Sequence, residues 1–350
     1  MQARNALASR VDHPAFEGPL MKTRSVLLAA CVALTLSACG TSGDSGSDTE
    51  ASGAAEAGAF PVTVDHAYGS TTIDAEPMRI VTIGWSGQDA VIALNKVPVA
   101  MESFSGDGIE NNILPWDASR LNGAKPVLMT TNPDIPFEQI LGLDPDVILA
   151  VYSGIDEGEY KRLSDIAPTV AFPDQPWDTA WDKQMSMIGA ALGQPEQAQT
   201  LIDETGAYFE KQAADHPQFQ GKTATYAMRT DEGLIVFCGT DPRIRLLGQL
   251  GVKTSPGVDA VCTSGDSSVS VGMESIDTLD ADVFILVDAD GTNLDKLMSF
   301  GPFANMTSVS NGRLVRLVGM DYAMATSAPT VLSVPYAFDE FIAQLSDKLS

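Results

Sequence analysis

The chain contains one phrase twice, and this duplication constrains its fold more than any other feature. EQILGLDPDVILAV begins at Glu138 and ESIDTLDADVFILV begins at Glu274, and the two stretches align without a gap. Each copy reads as a short helix followed by a buried apolar strand. Two such copies in matching surroundings predict two lobes of similar fold, related by a pseudo-two-fold axis.

Strand and helix patterns alternate on both sides of the middle of the chain, which predicts an α/β fold with mainly parallel sheets. Strands are predicted in the first half at 79–84, 97–101, 125–130, 146–151 and 168–172, and in the second half in TATYAMRT, GLIVFCG, DVFILVD and RLVRLVG. Between the halves, 179–193 and 196–215 have helical patterns with no strand between them. A helix of about 20 residues spans about 30 Å, so we expect a long helix that links the two lobes.

The N-terminal segment has the features of an export signal. Translation is predicted to start at Met21, where Lys22 and Arg24 precede the apolar run VLLAACVALTL, which is too short to span a bilayer. The run ends in LSAC, which resembles the lipobox of bacterial lipoproteins, so we expect cleavage before Cys39 and a diacylglycerol on its sulfur. Two acyl chains suffice for stable anchoring. The alternative is an ordinary secretory signal with an incidental cysteine.

These patterns divide the chain into five segments. Residues 40–59 contain glycine, serine, alanine, threonine and acidic residues without a large apolar side chain, which predicts a flexible tether. The predicted segments are a signal region (1–38), a lipidated cysteine and tether (39–59), an N-terminal lobe (60–175), an interlobe helical strut (176–217) and a C-terminal lobe (218–350).

Negative charge dominates the chain. It carries 46 Asp and Glu residues against 21 Lys and Arg, a formal net charge of −25. Such an excess repels nucleic acid and anionic membrane surfaces, so neither is expected as a partner.

Two cysteines follow the predicted lipidation site, Cys238 and Cys262. An even pair in a chain that is predicted to be exported favours a disulfide between them. Two buried free thiols are the alternative.

The chain resembles the substrate-binding lipoproteins of ABC importers for ferric siderophores, a group that also serves haem and cobalamin. The residues that carry the resemblance are HAYGSTTIDAEPMRIVTIG, ILPW at 113–116, PFEQILGLDPDVILA, YKRLSDIAPTVAF and AALGQPEQA. The resemblance implies two Rossmann-like lobes joined by a long interlobe helix, with a ligand cleft between the lobes. It also implies a monomer that is lipid-anchored on the extracytoplasmic face of the cell membrane and delivers its ligand to an ABC permease dimer.

Candidate ligand-binding residues follow from the position of ligands in open α/β sheets, beyond the carboxyl ends of the strands. Aromatic side chains can pack on the organic frame of a chelate, and arginines can pair with its anionic oxygens. The alternative for each residue is ordinary packing or a solvated surface. The criterion selects Trp85, Tyr152 and Trp177 in the first lobe, and Arg229, Arg243, Arg245 and Tyr322 in the second.

No cofactor and no metal site of the protein's own are predicted. After processing only His66 and His216 remain, whereas direct capture of a free metal ion commonly uses a cluster of histidines and carboxylates. A ferric siderophore needs no such cluster, because the chelator supplies the ligands. Haem, with a Tyr or Met axial ligand, and cobalamin stay open as alternatives. An exported α/β hydrolase is a further alternative, and it would need a nucleophile and a base in one cleft.

The two glutamates that open the duplicated phrase are assigned to transporter docking. Glu138 and Glu274 are each expected in the first turn of an equivalent helix, the first of which begins at Pro136. The helix dipole favours a carboxylate there by about 0.3–1 kcal/mol, which is the alternative explanation. The resemblance implies that glutamates at these positions pair with arginines on a permease of two like halves. We therefore expect them to contact the permease and not the ligand.

Overall fold

The computed structural model describes residues 53–263 and 265–350. The predicted signal region, the predicted lipidation site Cys39 and residues 40–52 of the predicted tether lie outside the described residues. Within the two described ranges, no helix has both the length and the apolar character needed to cross a membrane.

The N-terminal lobe begins with an antiparallel hairpin. A separate five-stranded parallel sheet follows it. The elements are β1 (Val62–His66), β2 (Gly69–Ile73), β3 (Ile80–Gly84), α1 (Gly87–Ala93), β4 (Ala100–Glu102), α2 (Pro115–Ala118), β5 (Val127–Met129), α3 (Phe137–Gly142), β6 (Val147–Tyr152), α4 (Glu157–Ser164) and β7 (Thr169–Ala171). The strand order of the sheet is β5-β4-β3-β6-β7. All residues of β3 and β6 are buried, as expected of parallel strands that are covered on both faces.

Two helices with no strand between them follow this lobe, as the helical patterns predict. They are α5 (Trp181–Ala191) and the longer α6 (Pro195–Asp215), and a 3-10 turn at Pro217–Phe219 ends the segment. Proline suits the first position of α6 because its fixed φ is already helical and its missing N–H would have no intrahelical partner there.

The C-terminal lobe is built on a mixed sheet. The elements are β8 (Thr223–Arg229), β9 (Gly233–Phe237), α7 (Pro242–Gln249), β10 (Lys253–Thr254), α8 (Pro256–Val261), β11 (Ser268–Gly272), a 3-10 helix (Met273–Leu279), β12 (Val283–Val287), α9 (Asn293–Met298), α10 (Gly301–Ala304), α11 (Thr307–Ser310), β13 (Leu314–Leu317), α12 (Met320–Ser327) and α13 (Ser333–Leu349). The strand order is β11-β9-β8-β12-β13, and β10 pairs with β8. β8, β12 and β13 are parallel to one another, whereas β9 and β11 run antiparallel to their neighbours.

The duplicated phrase occupies corresponding positions in the two sheets. Its strand is β6 in the first copy, between β3 and β7, and β12 in the second copy, between β8 and β13. Both copies open on a helix, as predicted, but the first copy forms α3 whereas Met273–Leu279 is a 3-10 helix, so the prediction that the two helices are equivalent is wrong. In this segment the Thr278 hydroxyl donates to the Ser275 carbonyl oxygen at 2.6 Å. Such side-chain bonds compete with the backbone hydrogen bonds of a regular α-helix. The two-lobe α/β fold is thus confirmed. The repeated strand has corresponding neighbours in the two sheets, but the second sheet is mixed and the helices differ.

The structure differs from the predicted flexible tether in the last residues of that segment. The Gly53 carbonyl oxygen accepts a hydrogen bond from Gln194 Nε2 at 2.7 Å. The Glu56 carboxylate accepts from the backbone N–H groups of Glu196 at 2.8 Å and Gln197 at 3.2 Å. These N–H groups belong to the first turn of α6, which has no intrahelical partners for them, so Glu56 caps the helix from outside.

Cys238 and Cys262 form a disulfide, and their Cα atoms are 5.8 Å apart. Cys238 directly follows β9 and Cys262 directly follows α8. The bond therefore ties the antiparallel part of the second sheet to the helix that packs beside it.

The two lobes share one continuous hydrophobic core. A single cluster of buried side chains includes Ile80 from the first sheet and Ile285 from the second. Helix α6 contributes Phe209, whose ring centroid lies 6.2 Å from that of Trp181 on α5 and 5.6 Å from that of Phe338 on α13. Because this packing crosses from one lobe to the other, it holds the two sheets in a defined relative position.

Two carboxyl groups are buried close to the contact between the lobes. Asp89 Oδ2 accepts hydrogen bonds from Trp116 Nε1 and from the hydroxyl of Thr330 in the C-terminal lobe, both at 2.6 Å. Among the described residues, neither carboxyl oxygen of Asp117 has a hydrogen-bond partner. Burial raises the pKa of both carboxyls, and the nearby charge of Asp89 raises the pKa of Asp117 further.

We predict that Asp117→Asn stabilises the protein at alkaline pH. A buried carboxyl with a raised pKa keeps its proton more readily in the folded state than in the unfolded state. The stability that this difference contributes is therefore complete below the unfolded pKa of 3.8 and is lost as the pH rises through the folded pKa of Asp117, which lies well above 3.8. The free energy of unfolding of the variant should exceed that of the parent by about 1–3 kcal/mol at about pH 8 and approach it near pH 4.

Urea denaturation followed by circular dichroism across this pH range measures the difference. Asp74→Asn is the matched control, because it removes the same charge from an exposed position. A variant Asp117→Asn that is less stable than the parent at alkaline pH would contradict the prediction.

Candidate ligand-binding cleft

A cleft of about 610 Å³ lies between the two lobes. One wall is formed at the carboxyl ends of β3, β4 and β6, and the other at the carboxyl ends of β8 and β12 together with β9. This is the place where open α/β sheets bind ligands. Its volume falls within the range of about 300–1,000 Å³ that is usual for sites of small molecules.

The three aromatic residues predicted for the first lobe meet on one wall of the cleft. The ring centroids of Trp85 and Trp177 are 4.8 Å apart, and the ring of Tyr152 lies edge-on to Trp177 at 5.6 Å. All three side chains line the cleft. Burial raises the pKa of the Tyr152 hydroxyl to about 12, so it stays a neutral hydrogen-bonding group at physiological pH.

Two glycines allow this aromatic wall to form. Gly84 has φ +92°, and a Cβ there would lie 2.0 Å from the Tyr152 carbonyl oxygen, which accepts a hydrogen bond from Trp85 N at 3.3 Å. A Cβ on Gly154 would lie 2.3 Å from Trp177 Nε1. Larger residues at either position would collide with the backbone or with the indole ring, so the glycines set how closely the rings approach.

Arg243 is the one predicted arginine in the lining of the main cleft, as far as the structure describes the chain. Its guanidinium carbon lies 3.6 Å from the centroid of the Phe237 ring, its Nε is 3.2 Å from Asp241 Oδ1, and the same Nε donates to the Ser327 carbonyl oxygen at 3.1 Å. Asp241 also caps α7 by accepting from the Arg243 backbone N–H at 2.9 Å. Burial raises the pKa of Asp241 to about 6, and the charge of Arg243 opposes this rise.

The other two predicted arginines lie elsewhere. Arg229 lines an adjoining pocket of about 280 Å³, which shares Met228, Val287, Ala289 and Met320 with the cleft. Arg245 forms an ion pair with Asp178 and donates to the Asp178 carbonyl oxygen at 3.1 Å. It therefore connects the C-terminal lobe to the segment before α5 and does not line the cleft.

Tyr322 also lies outside the cleft lining. Gly319, with φ +93°, turns the chain after β13, and α12 then presents Met320, Ala323 and Met324 to the cleft. Spacings of three and four residues define one face of a helix, and Tyr322 falls on another face. Its hydroxyl accepts a hydrogen bond from Gln344 Nε2 at 3.3 Å. The strand-end criterion could not foresee this helix.

Several residues of the cleft lining were not predicted from the sequence. One of them, Glu102, is a buried carboxylate. It ends β4 and is 4% exposed, and its carboxylate accepts from the Thr131 backbone N–H at 3.1 and 3.2 Å and from the Thr131 hydroxyl. Burial raises its pKa, and these hydrogen bonds oppose the rise. The strand-end criterion would have found Glu102 had it been applied to β4. The apolar lining residues that were missed are Phe104, Ile235, Phe237, Met228, Met320 and Met324.

Glu138 and Glu274 are both exposed and lie outside the cleft lining. In the described part of the chain neither forms a salt bridge or a side-chain hydrogen bond. Glu138 borders a shallow surface pocket beside Phe137, over whose ring Arg162 lies at 3.5 Å. The Glu274 carboxylate lies over Gly272, where a Cβ would be 2.5 Å from it.

Across residues 53–263 and 265–350, no group of three or more His, Cys, Asp or Glu side chains is arranged to hold a metal ion. His66 instead contacts the Thr71 hydroxyl at 3.0 Å through Nε2 and packs against Tyr160, and burial lowers its pKa. His66 therefore has a packing role in the hairpin and no contact with the cleft.

Known proteins resemble the chain over most of its length. A sequence model of the family described as periplasmic binding protein matches residues 80–319. The probable siderophore-binding lipoprotein YfiY of Bacillus subtilis is 28% identical over 88% of this chain and 93% of its own. The iron(3+)-hydroxamate-binding protein YxeB of the same organism is 27% identical over 70% and 74%. The structure of PiaA from Streptococcus pneumoniae in complex with ferrichrome has a TM-score of 0.74 and 28% identity, and the match covers 82% of this chain and 98% of PiaA.

We predict that Gly154→Ala displaces the Trp177 indole. The added methyl group would overlap the ring, so the wall must shift, and such overpacking costs about 1–3 kcal/mol. A changed near-ultraviolet circular dichroism spectrum and a red-shifted tryptophan emission would report the displacement. Gly206→Ala on α6 is the control, because a Cβ there meets nothing within 4 Å. Identical spectra of Gly154→Ala and the parent would show that the contact is unimportant.

Proposed function

Since the chain belongs to the periplasmic binding protein family, we propose that it captures a ferric siderophore and delivers it to an ABC permease. The observation that carries this proposal is the interlobe cleft, whose aromatic wall of Trp85, Tyr152 and Trp177 faces the apolar side chains and Arg243 of the second lobe. A siderophore is an organic frame that surrounds iron with oxygen ligands. Aromatic rings suit the frame, and the buried guanidinium suits the oxygens.

The relatives support the same function. PiaA was crystallised with ferrichrome, and YfiY and YxeB are named for siderophore and ferric hydroxamate binding. The chelator supplies the coordinating oxygens of the iron, so the site needs no cluster of protein ligands for the metal. We assign ligand contacts to Trp85, Tyr152, Trp177 and Arg243, and assign Arg229 to the adjoining pocket.

The proposal includes an anchor at the outer face of the cell membrane. Its support is the LSAC sequence that ends at Cys39 and the description of YfiY as a lipoprotein. Two acyl chains on Cys39 would keep the protein close to its permease.

A fluorescence titration tests the proposed ligand. We predict saturable quenching of tryptophan emission by ferrichrome at one molecule per protein, because Trp85 and Trp177 line the cleft. Trp85→Ala should weaken binding by about 10- to 100-fold, the usual loss of a buried aromatic contact. Tyr322→Phe, which alters an aromatic residue outside the lining, should leave the affinity unchanged.

A panel of ferrioxamine B, haemin and cobalamin completes the test. Binding of haemin or cobalamin without any ferric chelate would replace the proposed ligand within the same family. Steady turnover of an ester substrate would favour a hydrolase over a binding protein.

The docking role of Glu138 and Glu274 belongs to this proposal. Both carboxylates are exposed and lack a cationic partner in the described part of the chain, so they are available to a partner protein. Each precedes its strand by the same number of residues, since β6 begins at Val147 and β12 at Val283. A pseudo-symmetric protein can thus present one anion to each half of a permease, which specifies orientation as well as affinity.

We predict that Glu138→Ala and Glu274→Ala impair uptake without changing ligand affinity. The double variant should be the most affected, because both permease halves then lose their ionic contact. Proteoliposomes containing the permease measure uptake, and the fluorescence titration measures affinity separately. The matched control is Glu204→Ala with Glu210→Ala, which removes two exposed carboxylates from α6. Full uptake by the double docking variant, or loss of ligand binding in a folded variant, would refute the assignment.

A further inference from the structure

Among the described residues that face the cleft, carboxyl groups outnumber cationic groups. The cleft and the adjoining pocket together contain two guanidinium groups and four carboxyl groups among the described residues, namely Arg229 and Arg243 against Glu102, Asp107, Asp241 and Asp290. A site built for a highly anionic ligand needs the opposite balance, with cations in excess.

The cation nearest the aromatic wall is already paired. Arg243 is 8% exposed, and its Nε lies 3.2 Å from Asp241 Oδ1 while the guanidinium lies over the Phe237 ring. Arg229 has a more distant partner, Asp231, at 3.9 Å. The Arg243–Asp241 pair is neutral as a unit, so it can donate hydrogen bonds to ligand oxygens but supplies little net attraction for an anion.

Glu102 has no cation beside it in the described part of the chain. Its hydrogen-bond donors all belong to Thr131, and its side chain is almost fully buried at the end of β4. Water cannot screen a charge in this position well, so an anion in the cleft would feel repulsion at a low effective dielectric. Asp107 and Asp290, which line the adjoining pocket, would also repel an anionic ligand.

Ferric siderophores differ in net charge, so the charged residues of the cleft can discriminate among them. Three hydroxamates carry one negative charge each and neutralise ferric iron. Three catecholates carry two each, so their ferric complex is a trianion, and ferric citrate complexes also keep negative charge. Resting on the proposed function, we propose that the cleft selects uncharged or cationic ferric hydroxamates and excludes anionic ferric catecholates and citrates, with Glu102 as the residue that rejects the anions.

A comparison of four iron complexes of known charge tests this selection. Ferrichrome is uncharged, ferrioxamine B carries an additional ammonium group, and ferric dicitrate and a ferric tris-catecholate are anionic. The parent protein should bind the first two at least about tenfold more tightly than the last two in fluorescence titrations. High salt should narrow this difference, because screening weakens the repulsion.

The variant Glu102→Gln tests the contribution of the Glu102 charge to this selection. The amide keeps the shape and an oxygen that can accept from Thr131, but it removes the charge. The affinity for the anionic complexes should rise by about tenfold relative to the affinity for ferrichrome, so the ratio of the two affinities is the quantity that the variant tests. Glu204→Gln, at an exposed position on α6, is the control for the net charge of the protein and should change neither affinity. Thermal unfolding of both variants shows whether they are folded.

The outcomes separate the two proposals. Anionic complexes that bind as tightly as ferrichrome to the parent protein, at low and high salt, would overturn the selection and leave the siderophore function standing. An unchanged difference in folded Glu102→Gln would overturn the role of Glu102. Failure of all four complexes to bind would overturn both the proposed function and the selection. The parent titrations decide the selection even where Glu102→Gln does not fold.

Discussion

The packing of α6 between α5 and α13 is the constraint on which the rest of the structure depends. Phe209 contacts Trp181 on one side and Phe338 on the other, and the cluster around it contains side chains from both sheets. This core holds the carboxyl ends of the two sets of strands opposite each other. The cleft is the space that remains between them, so its walls are placed by packing that does not itself contact a ligand.

Further contacts bind the lobes together around this core. Thr330 of the C-terminal lobe donates to the buried carboxylate of Asp89, and Arg245 pairs with Asp178. Asp89 thus connects the two halves at a site where its charge is costly to bury. A ligand in the cleft can contact both lobes while these connections stay intact. The exposed glutamates of the duplicated phrase lie outside the cleft lining, so ligand binding and docking are assigned to different surfaces.

Specific contacts within the cleft arise from small residues and from buried charge. Gly154 leaves room for the Trp177 indole, and Trp177 itself takes the left-handed conformation with φ +60°. On the facing wall, Arg243 is held by Asp241, Phe237 and the Ser327 carbonyl. The aromatic wall suits the organic part of many ligands. In the proposed selection, the charges of Arg243, Asp241 and Glu102 therefore distinguish one ligand from another.

The sequence by itself determined the two-lobe α/β fold, the long helix between the lobes and the aromatic residues of one cleft wall. Apolar strands buried on both faces and the Glu-headed repeat are local patterns. Trp85 directly follows its strand, and Tyr152 is the last residue of its strand. Only the tertiary structure decided which side chains after longer connections face the cleft. On helix α12, Met324 lines the cleft whereas Tyr322 lies on another face. Arg245 forms an ion pair with Asp178 and does not line the cleft. It also revealed that Glu102 is buried without a cation, because burial and pairing depend on residues such as Thr131 that are distant in the chain.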